Sequence, residues 1–382
     1  MLLSKMTAHM LKTRKDFRNL KDMPISQYLQ ELSFFDKDAA GGTVKLPLEA
    51  AVERKVKADL ARKVDGAQIS LMDFPILQDA DLWKLSKRFD KFDGEFVYSK
   101  EGSLLYPTSE EPTVGYFSQC KNISYKDLPI TLAGFRKLFR NCTSKNIVRL
   151  SEFEILDMYS IDAGPDSIKE TIRTTIAPLF DSVWKQWNLN VVPVPKREGY
   201  TDFKYITEEG DDKIPGKEDS KCLSVGVIMD LADFYSRSMD LTYFGPTGEK
   251  QYPSVGSYAL GIERIFYSMA HQNKKEVNGN MTIAWPNGTA PFEVGVIGIG
   301  ENGYDKRTQE HLISKGIPVL NDDTKDSLGV KTRRLYAIGV PYIAFAGERE
   351  EKKGVLGIEE TRTGQRYERK IDDLVAVARK VI

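Results

Sequence analysis

The chain has 382 residues, of which 41% are hydrophobic and 29% charged, and its formal net charge is zero. This length and composition predict one to three globular domains with sizeable cores. A neutral chain can meet a polyanionic partner only through a local basic patch. Because no run of about 18 apolar residues occurs, neither a membrane-spanning helix nor a membrane partner is predicted.

Cysteine and histidine are too few and too scattered to predict a metal site or a disulfide framework. The residues concerned are Cys120, Cys142, Cys222, His9, His271 and His311. The basic N-terminus lacks the apolar run of a secretory signal. We therefore predict reduced thiols, a cytoplasmic location and no metal site built from protein ligands.

The first half of the chain mixes helices with short strands. Apolar residues recur at helical spacing over residues 46–66, and Gly66 suits the end of that helix. A strand is predicted at residues 67–78, and a short helix carrying Trp83 at 79–90. The apolar stripe of the first helix comprises Leu48, Ala51, Val52, Val56, Leu60 and Val64.

The centre of the sequence is richer in strands, and two of them enclose a polar loop at residues 141–146. The predicted order is short strands within 95–112, a helix at 113–120, strands at 128–140 and 147–161, a helix at 165–188, strands within 189–243, and a strand and helix at 254–272. The buried stripe predicted for the helix at 165–188 comprises Ile168, Ile172, Ile176, Leu179, Phe180 and Trp184.

Beyond residue 288 strands and helices alternate. The strands VGVIGIG, IPVLNDD and PYIAFAG are interleaved with helices at 305–315 and 330–338, and a hairpin precedes a last helix at 371–381. Such alternation predicts a compact α/β domain with mainly parallel strands. Since Pro, Gly and Asn cluster at 285–292, we predict one domain at 1–288 and another at 289–382.

The first segment that could carry chemistry is YPTSEE, at residues 106–111. A hydroxyl and carboxylates on a loop at a strand end can receive an ammonium group. The alternative is a helix N-cap, in which Thr108 or Ser109 caps and Glu111 lies near the first turn.

The second segment comprises FRKLFR at residues 135–140 and RLSEFEILDMY at 149–159. An arginine on a strand can bridge a carboxylate and a phosphate and can stabilise charge that develops at phosphorus. Alternation along the second strand places four side chains on one face, those of Phe153, Ile155, Asp157 and Tyr159. The alternative is a surface hairpin with solvated basic residues.

The third segment is GSYALGIER, at residues 256–264. Small residues at a strand-to-helix turn let a flat ligand approach the backbone closely. Arg264, in the first turns of the following helix, could then reach a terminal phosphate. The alternative is a glycine-containing turn with an arginine on the surface.

In this order the three segments resemble the active-site elements of class II aminoacyl-tRNA synthetases, and more closely those of the bacterial kind of prolyl-tRNA synthetase. Phrases such as VKLPLEAAVERKV, FPILQDADLW, GTAPFEVGVI and VLNDDTKDSLGVK extend the resemblance over almost the whole chain. It implies an α+β fold, in which a catalytic domain at 1–288 holds an antiparallel sheet flanked by helices and an α/β anticodon-binding domain occupies 289–382. The large insertion of many bacterial members is absent.

The resemblance implies ATP-dependent ligation of proline to tRNA through an aminoacyl-adenylate, with ATP and Mg²⁺ as cofactors and a homodimer as the assembly. The residues that it assigns are Thr108 and Glu110 for the imino group, Phe153, Ile155 and Tyr159 for the proline ring, Arg136 and Arg264 for catalysis, and Arg136, Arg140, Asp230 and Arg264 for ATP. In it Arg136 meets the amino-acid carboxylate and the α-phosphate, and Arg264 lies on the γ-phosphate side.

In the C-terminal domain four basic residues could meet the phosphates and bases of an anticodon stem-loop. They are Lys325, Lys331, Arg333 and Arg334. The alternative is a solvated basic face without RNA.

Several positions depart from the pattern of the family, mostly on the ATP side. They are Leu138 for a glutamate, Ser151 for an arginine, Asp230 for a glutamine, Ala232 and Ala259 for glycines, and Thr324 for an arginine. Two hypotheses therefore stay open. The chain is either a working proline–tRNA ligase or a synthetase-like paralogue that uses another amino acid or acceptor, or binds tRNA without catalysis. An unrelated nucleotide-binding enzyme is disfavoured, because no GxxxxGK[ST] loop occurs.

Overall fold

The computed structural model describes residues 20–37, 42–92, 94–120, 122–141, 148–286 and 288–379. The chain forms two compact units, of which one is Lys57–Ile265 and the other contains the described residues of Met1–Val56 and Phe266–Ile382. The domain boundary at 288/289 stays a prediction. His9, Cys142 and the polar loop beyond Asn141 lie outside the described residues.

Helices and strands alternate along the chain in the following order. The helices are α1 Ile25–Glu31, α2 Pro47–Gly66, α3 Ala80–Leu85, α4 Glu110–Ser118, α5 Pro165–Thr171, α6 Ala177–Gln186, α7 Phe234–Ser238, α8 Ile262–Asn273, α9 Tyr304–Ser314, α10 Leu328–Ile338, α11 Glu348–Lys353 and α12 Ile371–Arg379. The strands up to residue 206 are β1 Phe35–Lys37, β2 Thr43–Lys45, β3 Ser70–Leu71, β4 Leu77–Gln78, β5 Val97–Tyr98, β6 Leu104–Leu105, β7 Ile130–Phe139, β8 Glu152–Asp162, β9 Val191–Arg197 and β10 Tyr200–Ile206. The later strands are β11 Asp212–Ile214, β12 Lys217–Asp230, β13 Tyr243–Phe244, β14 Lys250–Gln251, β15 Ser254–Gly261, β16 Lys274–Val277, β17 Asn280–Ile283, β18 Val294–Ile299, β19 Val319–Asn321, β20 Tyr342–Gly347, β21 Leu356–Glu360 and β22 Arg366–Arg369.

The unit Lys57–Ile265 is built on one large sheet with the strand order β3-β7-β8-β15-β12-β10-β9, and β11 lies beside β12. All of these pairs are antiparallel except β3 with β7. The antiparallel sheet expected for the first part of the chain is therefore confirmed.

The two faces of this sheet have different chemistry. One face packs against α6, where the ring of Phe180 lies 5.2 Å from that of Phe203 on β10. Residues that oppose each other in antiparallel strands point to the same side. Leu138 pairs with Phe153, and Asp157 pairs with Ala259, so the side chains within each pair point to the same side. These parts of the second and third segments lie on the face opposite α6.

The second unit contains a five-stranded sheet with the order β19-β18-β20-β21-β22. Its first three strands are parallel and the last two join antiparallel. Buried side chains of β18, β19 and β20 form its core together with Leu312 of α9 and Leu374 of α12. This confirms the C-terminal α/β domain, although α11 was not predicted.

Local predictions succeeded where one periodicity runs without interruption. The six stripe residues of α2 are all fully buried. The helix predicted at 79–90 instead ends at Leu85, because Lys87 adopts φ 58° and a separate 3₁₀ turn follows at Phe89–Phe92. The helix predicted at 165–188 is two helices joined by a π-helical turn at Ile172–Ile176. In place of the strand predicted at 67–78, the structure has two short strands, β3 and β4.

Among the helices of the described part of the chain, none combines the length and apolar character needed to cross a membrane.

Candidate active site

The loop before α4 is tied to the large sheet through Ser109. Ser109 occupies the N-cap position of α4, but its side chain makes no capping hydrogen bond. Its hydroxyl donates to Asp157 Oδ2 and accepts from Arg136 Nη1 at 2.9 Å. The fully buried Ser109 thereby holds the loop against β7 and β8, so side-chain capping does not explain this serine.

An ion pair lies beneath this loop, inside the sheet face. Arg136 Nη1 lies 3.1 Å from Asp157 Oδ2, and both residues are only 2% exposed. Arg136 Nη2 donates to Met72 O at 3.0 Å, and Tyr159 donates to Asp157 Oδ2 at 3.0 Å. Burial raises the pKa of Asp157 to about 6, and the charge of Arg136 opposes that rise. We call Ser109, Arg136, Asp157 and Tyr159 the ion-pair cluster.

Two aromatic rings flank the guanidinium of the ion-pair cluster. Its central carbon lies 4.9 Å from the ring centre of Phe74 and 5.7 Å from that of Tyr159. The Nε atom of Arg136 is the buried donor of this side chain that lacks a hydrogen-bond partner in the described structure. The charge of Arg136 is therefore used mainly inside the protein.

Glu110, at the start of α4, is a buried carboxylate with one oxygen unused by hydrogen bonds. Oε1 accepts from Ser257 Oγ at 3.1 Å, and Oε2 lies 3.5 Å from Arg88 Nη1. That distance is an ion-pair contact, and Oε2 has no hydrogen-bond partner in the described structure. Buried polar atoms are nearly always hydrogen-bonded. Glu110 can therefore accept a hydrogen bond from a positively charged ligand group.

Arg88 joins Glu110 to a second buried carboxylate. Its Nη1 lies 3.1 Å from Glu111 Oε1, 3.5 Å from Thr108 Oγ1, and donates to the hydroxyl of Tyr235. Burial raises the pKa of Glu111 to about 7, since desolvation outweighs the attraction of Arg88. No motif in the sequence indicated Arg88. It lies between α3 and the 3₁₀ turn, where the helical periodicity of the sequence has ended.

A cavity of about 470 Å³ opens next to this region on the same sheet face. Arg140 and Arg264 line it, and we call it the arginine cavity. Arg140 Nε donates to Pro107 O at 3.1 Å, and its guanidinium lies 5.3 Å from the ring centre of Phe153. Arg264 donates to Val148 O at 3.0 Å and to Ser224 O at 2.9 Å. Both arginines are thus held by backbone carbonyls at the edge of a ligand-sized space.

The floor of the arginine cavity is apolar. Phe153, Ile155, Leu138 and Ala259 line it together with Val227. A flat apolar surface beside two guanidinium groups can hold a base and its phosphates, because arginine binds phosphate bidentately.

A third group of residues surrounds a cavity of about 830 Å³ that Glu110 also lines. We call it the side cavity, and its charged and aromatic lining residues are Arg88, Lys91, Lys169, Arg197, Glu110, Glu198, Asp230, Phe234 and Tyr235. Asp230, expected on the ATP side, lines the side cavity, as does Ala232. Asp230 is not among the residues that line the arginine cavity.

The structure brings most of the expected residues of the first domain together. Arg140, Phe153, Ile155 and Arg264 line the arginine cavity, while Arg136 and Tyr159 belong to the ion-pair cluster. Alternation in β8 had already placed Asp157 on this face. Nothing in the sequence indicated its pairing with Arg136, since that depends on how β7 and β8 align.

The four basic residues of the C-terminal domain have different surroundings. Arg334 is buried and pairs with Asp322 at 2.6 Å and with Asp326, while Lys331 donates to Asp322 O at 2.9 Å. Lys325 and Arg333 are exposed. Arg333 lines a cavity of about 760 Å³, which we call the C-terminal cavity. Arg349, Arg366 and Tyr367 also line it and were not predicted.

No three His, Cys, Asp or Glu side chains of the described residues lie where they could together hold a metal ion.

Comparison with known proteins accounts for most of the chain. Residues 96–273 match the tRNA synthetase class II core domain of the G, H, P, S and T group, and residues 293–381 match an anticodon binding domain. The proline–tRNA ligase of Anaplasma phagocytophilum is 27% identical over 92% of this chain and 94% of its own length. That of Rhodospirillum rubrum is 26% identical over 97% of this chain and 99% of its own length.

Solved structures share the same fold. Giardia lamblia prolyl-tRNA synthetase, in complex with prolyl-adenylate, superimposes with a TM-score of 0.75 at 18% identity over 96% of this chain and 77% of that one. Cryptosporidium parvum prolyl-tRNA synthetase, complexed with halofuginone and AMPPNP, gives 0.77 at 16% identity over 97% of this chain and 77% of that one. With a class II core followed by an anticodon binding domain, the chain belongs to the class II aminoacyl-tRNA synthetases.

Proposed function

We propose that this chain joins proline to tRNA in two steps, the first of which forms prolyl-adenylate from ATP. One observation carries the proposal: the buried Glu110, with an oxygen that no hydrogen bond uses, lies near the cavity lined by Arg140 and Arg264. Glu110 is close enough to Arg140 to oppose the burial that lowers the pKa of that arginine. The names of the curated relatives support proline as the amino acid.

In the first step, Glu110 and Thr108 hold the imino group of proline by charge and hydrogen bonds. The proline carboxylate attacks the α-phosphorus of ATP, the bond to the bridging oxygen breaks, and pyrophosphate leaves. Arginines stabilise the charge that spreads over the phosphate oxygens. These side chains bind and orient, and no side chain need take up a proton.

Arg140 is the better candidate for the α-phosphate contact, and Arg136 for holding the site in shape. Arg136 already binds Asp157, Ser109 and Met72 O inside the protein. The guanidinium of Arg140 makes one hydrogen bond within the described structure, from Nε to Pro107 O, and its remaining donors serve a ligand in the arginine cavity. Arg264 lies on the γ-phosphate side in this proposal.

The remaining assignments follow the same division. Phe153 and Ile155 line the arginine cavity and therefore support the nucleotide rather than the proline ring in this proposal. The buried Tyr159 forms the wall beside the ring, and Asp230 lies in the side cavity. Magnesium would arrive with ATP, because Mg²⁺ keeps several waters and prefers phosphate oxygens. It would neutralise phosphate charge during attack.

Transfer RNA is the proposed acceptor, bound through an anticodon-binding domain at residues 289–382 that follows a catalytic domain at 1–288. Arg333 and Lys325 are the basic residues there whose exposure suits RNA binding, whereas Arg334 and Lys331 are engaged within the protein. A tRNA ligase acts where tRNA is used, so the proposal includes a cytoplasmic location.

A homodimer is also proposed, through the segment that begins at β3. Large apolar side chains are exposed there. They are Leu71, Ile76, Leu77, Leu85 and Tyr98. Exposed apolar groups of this kind often mark protein–protein contacts. Light scattering should give twice the chain mass of 43.2 kDa, and a single-chain mass would contradict this part.

The test of the activity is pyrophosphate exchange with each of the twenty amino acids. Proline alone should support exchange, and the product should be transferred to a proline tRNA transcript. Exchange with a different amino acid would retain the chemistry and replace the substrate. Absence of exchange from folded protein would remove the ligase proposal.

One feature of the arginine cavity favours the alternative, a synthetase-like paralogue without fast adenylation. Leu138 and Ala259, two of the departures from the family pattern, both line this cavity. Leu138 cannot accept a hydrogen bond from a base, and the methyl group of Ala259 occupies ligand space. The same exchange assay decides between the two hypotheses.

A further inference from the structure

A carboxylate at the rim of the arginine cavity has no role in the proposed function. Asp211 Oδ2 lies 3.4 Å from Arg149 Nη1 and 3.6 Å from Arg264 Nη2. Both arginines line the arginine cavity. One carboxylate oxygen therefore joins two guanidinium groups of the site in which the nucleotide is placed.

The turn that carries Asp211 packs closely against the neighbouring strand. It connects β10 to β11 and comprises residues 207–211. Within the turn, Gly210 N donates to Thr207 O at 3.1 Å. A Cβ atom on Gly210 would lie 2.4 Å from Cys222 O of β12, so any side chain here would force the turn to move. Glycine is therefore what allows the turn to lie this close to the sheet.

A buried lysine anchors the residue that follows the turn. Lys204 is fully buried, and its ammonium lies 2.7 Å from Asp202 and also pairs with Asp212, the first residue of β11. A buried ion pair keeps its geometry, because separation would leave a charge desolvated and unpaired. Asp211 is therefore held between a closely packed turn and an anchored strand, and this places its carboxylate beside the two arginines.

The two contacts of Asp211 are loose and partly open to solvent. Charge-assisted hydrogen bonds are usually about 2.7–2.9 Å long, which is shorter than both distances here. The side chains of Arg149 and Arg264 are 53% and 28% exposed, and that of Asp211 is 19% exposed. Partly exposed ion pairs contribute little to stability and are screened by salt. A ligand with more negative charge can therefore take over the two arginines.

The pyrophosphate portion of ATP is the ligand group that would do so. Arg264 lies on the γ-phosphate side in the proposed function, whereas the α-phosphate contact is assigned to Arg140. The β- and γ-phosphates carry several negative charges, and arginine binds phosphate bidentately. Asp211 holds the same guanidinium groups and adds a negative charge beside them, so it opposes the binding of these phosphates. AMP lacks them and does not compete with Asp211.

We propose that Asp211 is an internal anion that competes with the pyrophosphate portion of ATP for Arg149 and Arg264, and that it thereby promotes release of pyrophosphate once the adenylate has formed. The proposal rests on the proposed function, since it assigns this carboxylate to the leaving group of that reaction. Asp211 acts through the arginines and is a positioning residue. Loss of its charge should therefore change the binding of pyrophosphate and ATP without changing that of AMP.

The experiment compares Asp211→Asn with a conservative variant and a matched control. Asp211→Asn removes the charge and keeps the size of the side chain. Asp211→Glu keeps the charge, so its affinities should lie closer to those of the parent chain. Asp219→Asn is the control, because it removes the same charge from an exposed position on the neighbouring strand β12. Asp219 is not among the described residues that line the arginine cavity.

Titration calorimetry of the full chain measures the affinities for pyrophosphate, ATP and AMP. Asp211→Asn should bind pyrophosphate and ATP about three- to five-fold more tightly than the parent, as expected for removal of a competing, partly exposed ion pair. The affinity for AMP and the midpoint of urea unfolding should match those of the parent and of Asp219→Asn. A purely structural role of Asp211 would instead alter AMP binding and the unfolding midpoint. Unchanged or weaker pyrophosphate binding by Asp211→Asn, or an equal gain in Asp219→Asn, would overturn the proposal.

Inhibition by added pyrophosphate during aminoacylation of tRNA gives a second measurement. The inhibition constant should fall in Asp211→Asn by the same factor as the dissociation constant, and a constant equal to that of the parent would contradict the proposal. If the parent chain shows no exchange with any amino acid, the ligase proposal fails, while the titrations need no amino acid and still test Asp211. A parent chain that binds neither ATP nor pyrophosphate would reject both proposals.

Discussion

The two ends of the candidate site differ in how their charges are used. In the ion-pair cluster, Arg136 and Asp157 bind each other beneath the loop that carries Glu110, and both are buried. In the arginine cavity, Arg140 and Arg264 border open space and are held by backbone carbonyls. Arginine is therefore part of the framework at Arg136 and, at Arg140, available to a ligand.

This difference teaches that arginine roles cannot be assigned from the segment alone. Arg136 and Arg140 belong to the same short segment, four residues apart, and either could be drawn facing a phosphate. Their environments predict different consequences of mutation. Loss of a buried ion-pair partner acts first on folding, while loss of a cavity arginine acts first on catalysis.

The largest effect is expected for Arg136→Ala. Removing this side chain leaves Asp157 buried without its counter-ion, which typically costs about 3–5 kcal/mol. The free energy of unfolding, from urea titration, should fall by that amount, and pyrophosphate exchange should fall with it. Lys137→Ala on the same strand is the control, because its ion pair with Glu152 is on the surface. Its stability should change by less than about 1 kcal/mol.

A stable but inactive Arg136→Ala variant would contradict the framework role. It would favour the direct contact with carboxylate and phosphate that the sequence resemblance implies for Arg136.

Arg140→Ala should show the reverse behaviour. Its guanidinium makes one hydrogen bond to the protein within the described structure, so unfolding free energy should change by about 1 kcal/mol or less. If it stabilises phosphate charge during attack, the rate constant of exchange should fall about 100-fold or more. Steady-state exchange at saturating ATP measures this loss. An Arg140→Ala chain with near-normal exchange would show that phosphate contacts lie elsewhere.

Sequence reasoning reached the fold and the members of the site, but not their pairing. The stripe of α2 follows from one helical period, so it could be read from local spacing. Alternation along β8 likewise put Asp157 on the site face. The Arg136–Asp157 contact depends on the register of two strands, in which Arg136 faces Ile155. Register arises from many cross-strand contacts, and no single segment contains it.

The same limit applies to Arg88 and Arg334. Arg88 follows Lys87, whose positive φ breaks the helix, so no pattern marked it. Arg334 was predicted, with Lys325, Lys331 and Arg333, to meet the phosphates and bases of RNA. Its partner Asp322 lies twelve residues earlier in the sequence, just after β19. Burial of a charge becomes predictable only when its counter-ion is known.

Ser109→Ala should give a smaller, more selective effect in the ion-pair cluster. The change removes the hydroxyl that joins Arg136 to Asp157 and anchors the loop carrying Glu110. Two buried hydrogen bonds, each worth about 0.5–1.5 kcal/mol, are lost, and we expect the loosened loop to raise the KM for proline roughly ten-fold. The KM for ATP should stay unchanged, because Ser109 does not line the arginine cavity. A parallel rise in both KM values would mean that the two ends are not independent.

The control for Ser109→Ala is Ser118→Ala, at the other end of α4. Ser118 donates to Gly115 O at 2.9 Å within the same helix. Neither KM should respond to its loss.

The smallest effect concerns pH, and it depends on the buried carboxylate of Glu111. Burial raises the pKa of Glu111 from its usual 4.5 to about 7. The folded chain therefore holds this proton more tightly than the unfolded chain does. The resulting stability is fully present below pH 4.5 and is lost as pH rises through about 7. Glu111→Gln removes the titration while keeping an oxygen to accept from Ser86 and Arg88.

Urea titrations at intervals from pH 5 to pH 8 measure the consequence. The unfolding free energy of the parent should fall over this range relative to that of Glu111→Gln, because the folded chain keeps this proton up to a pH of about 7 and the unfolded chain releases it near 4.5. Glu152→Gln, on the surface beside Lys137, should follow the parent curve. Parallel curves for the parent and Glu111→Gln would mean that the carboxylate stays ionised in the folded chain.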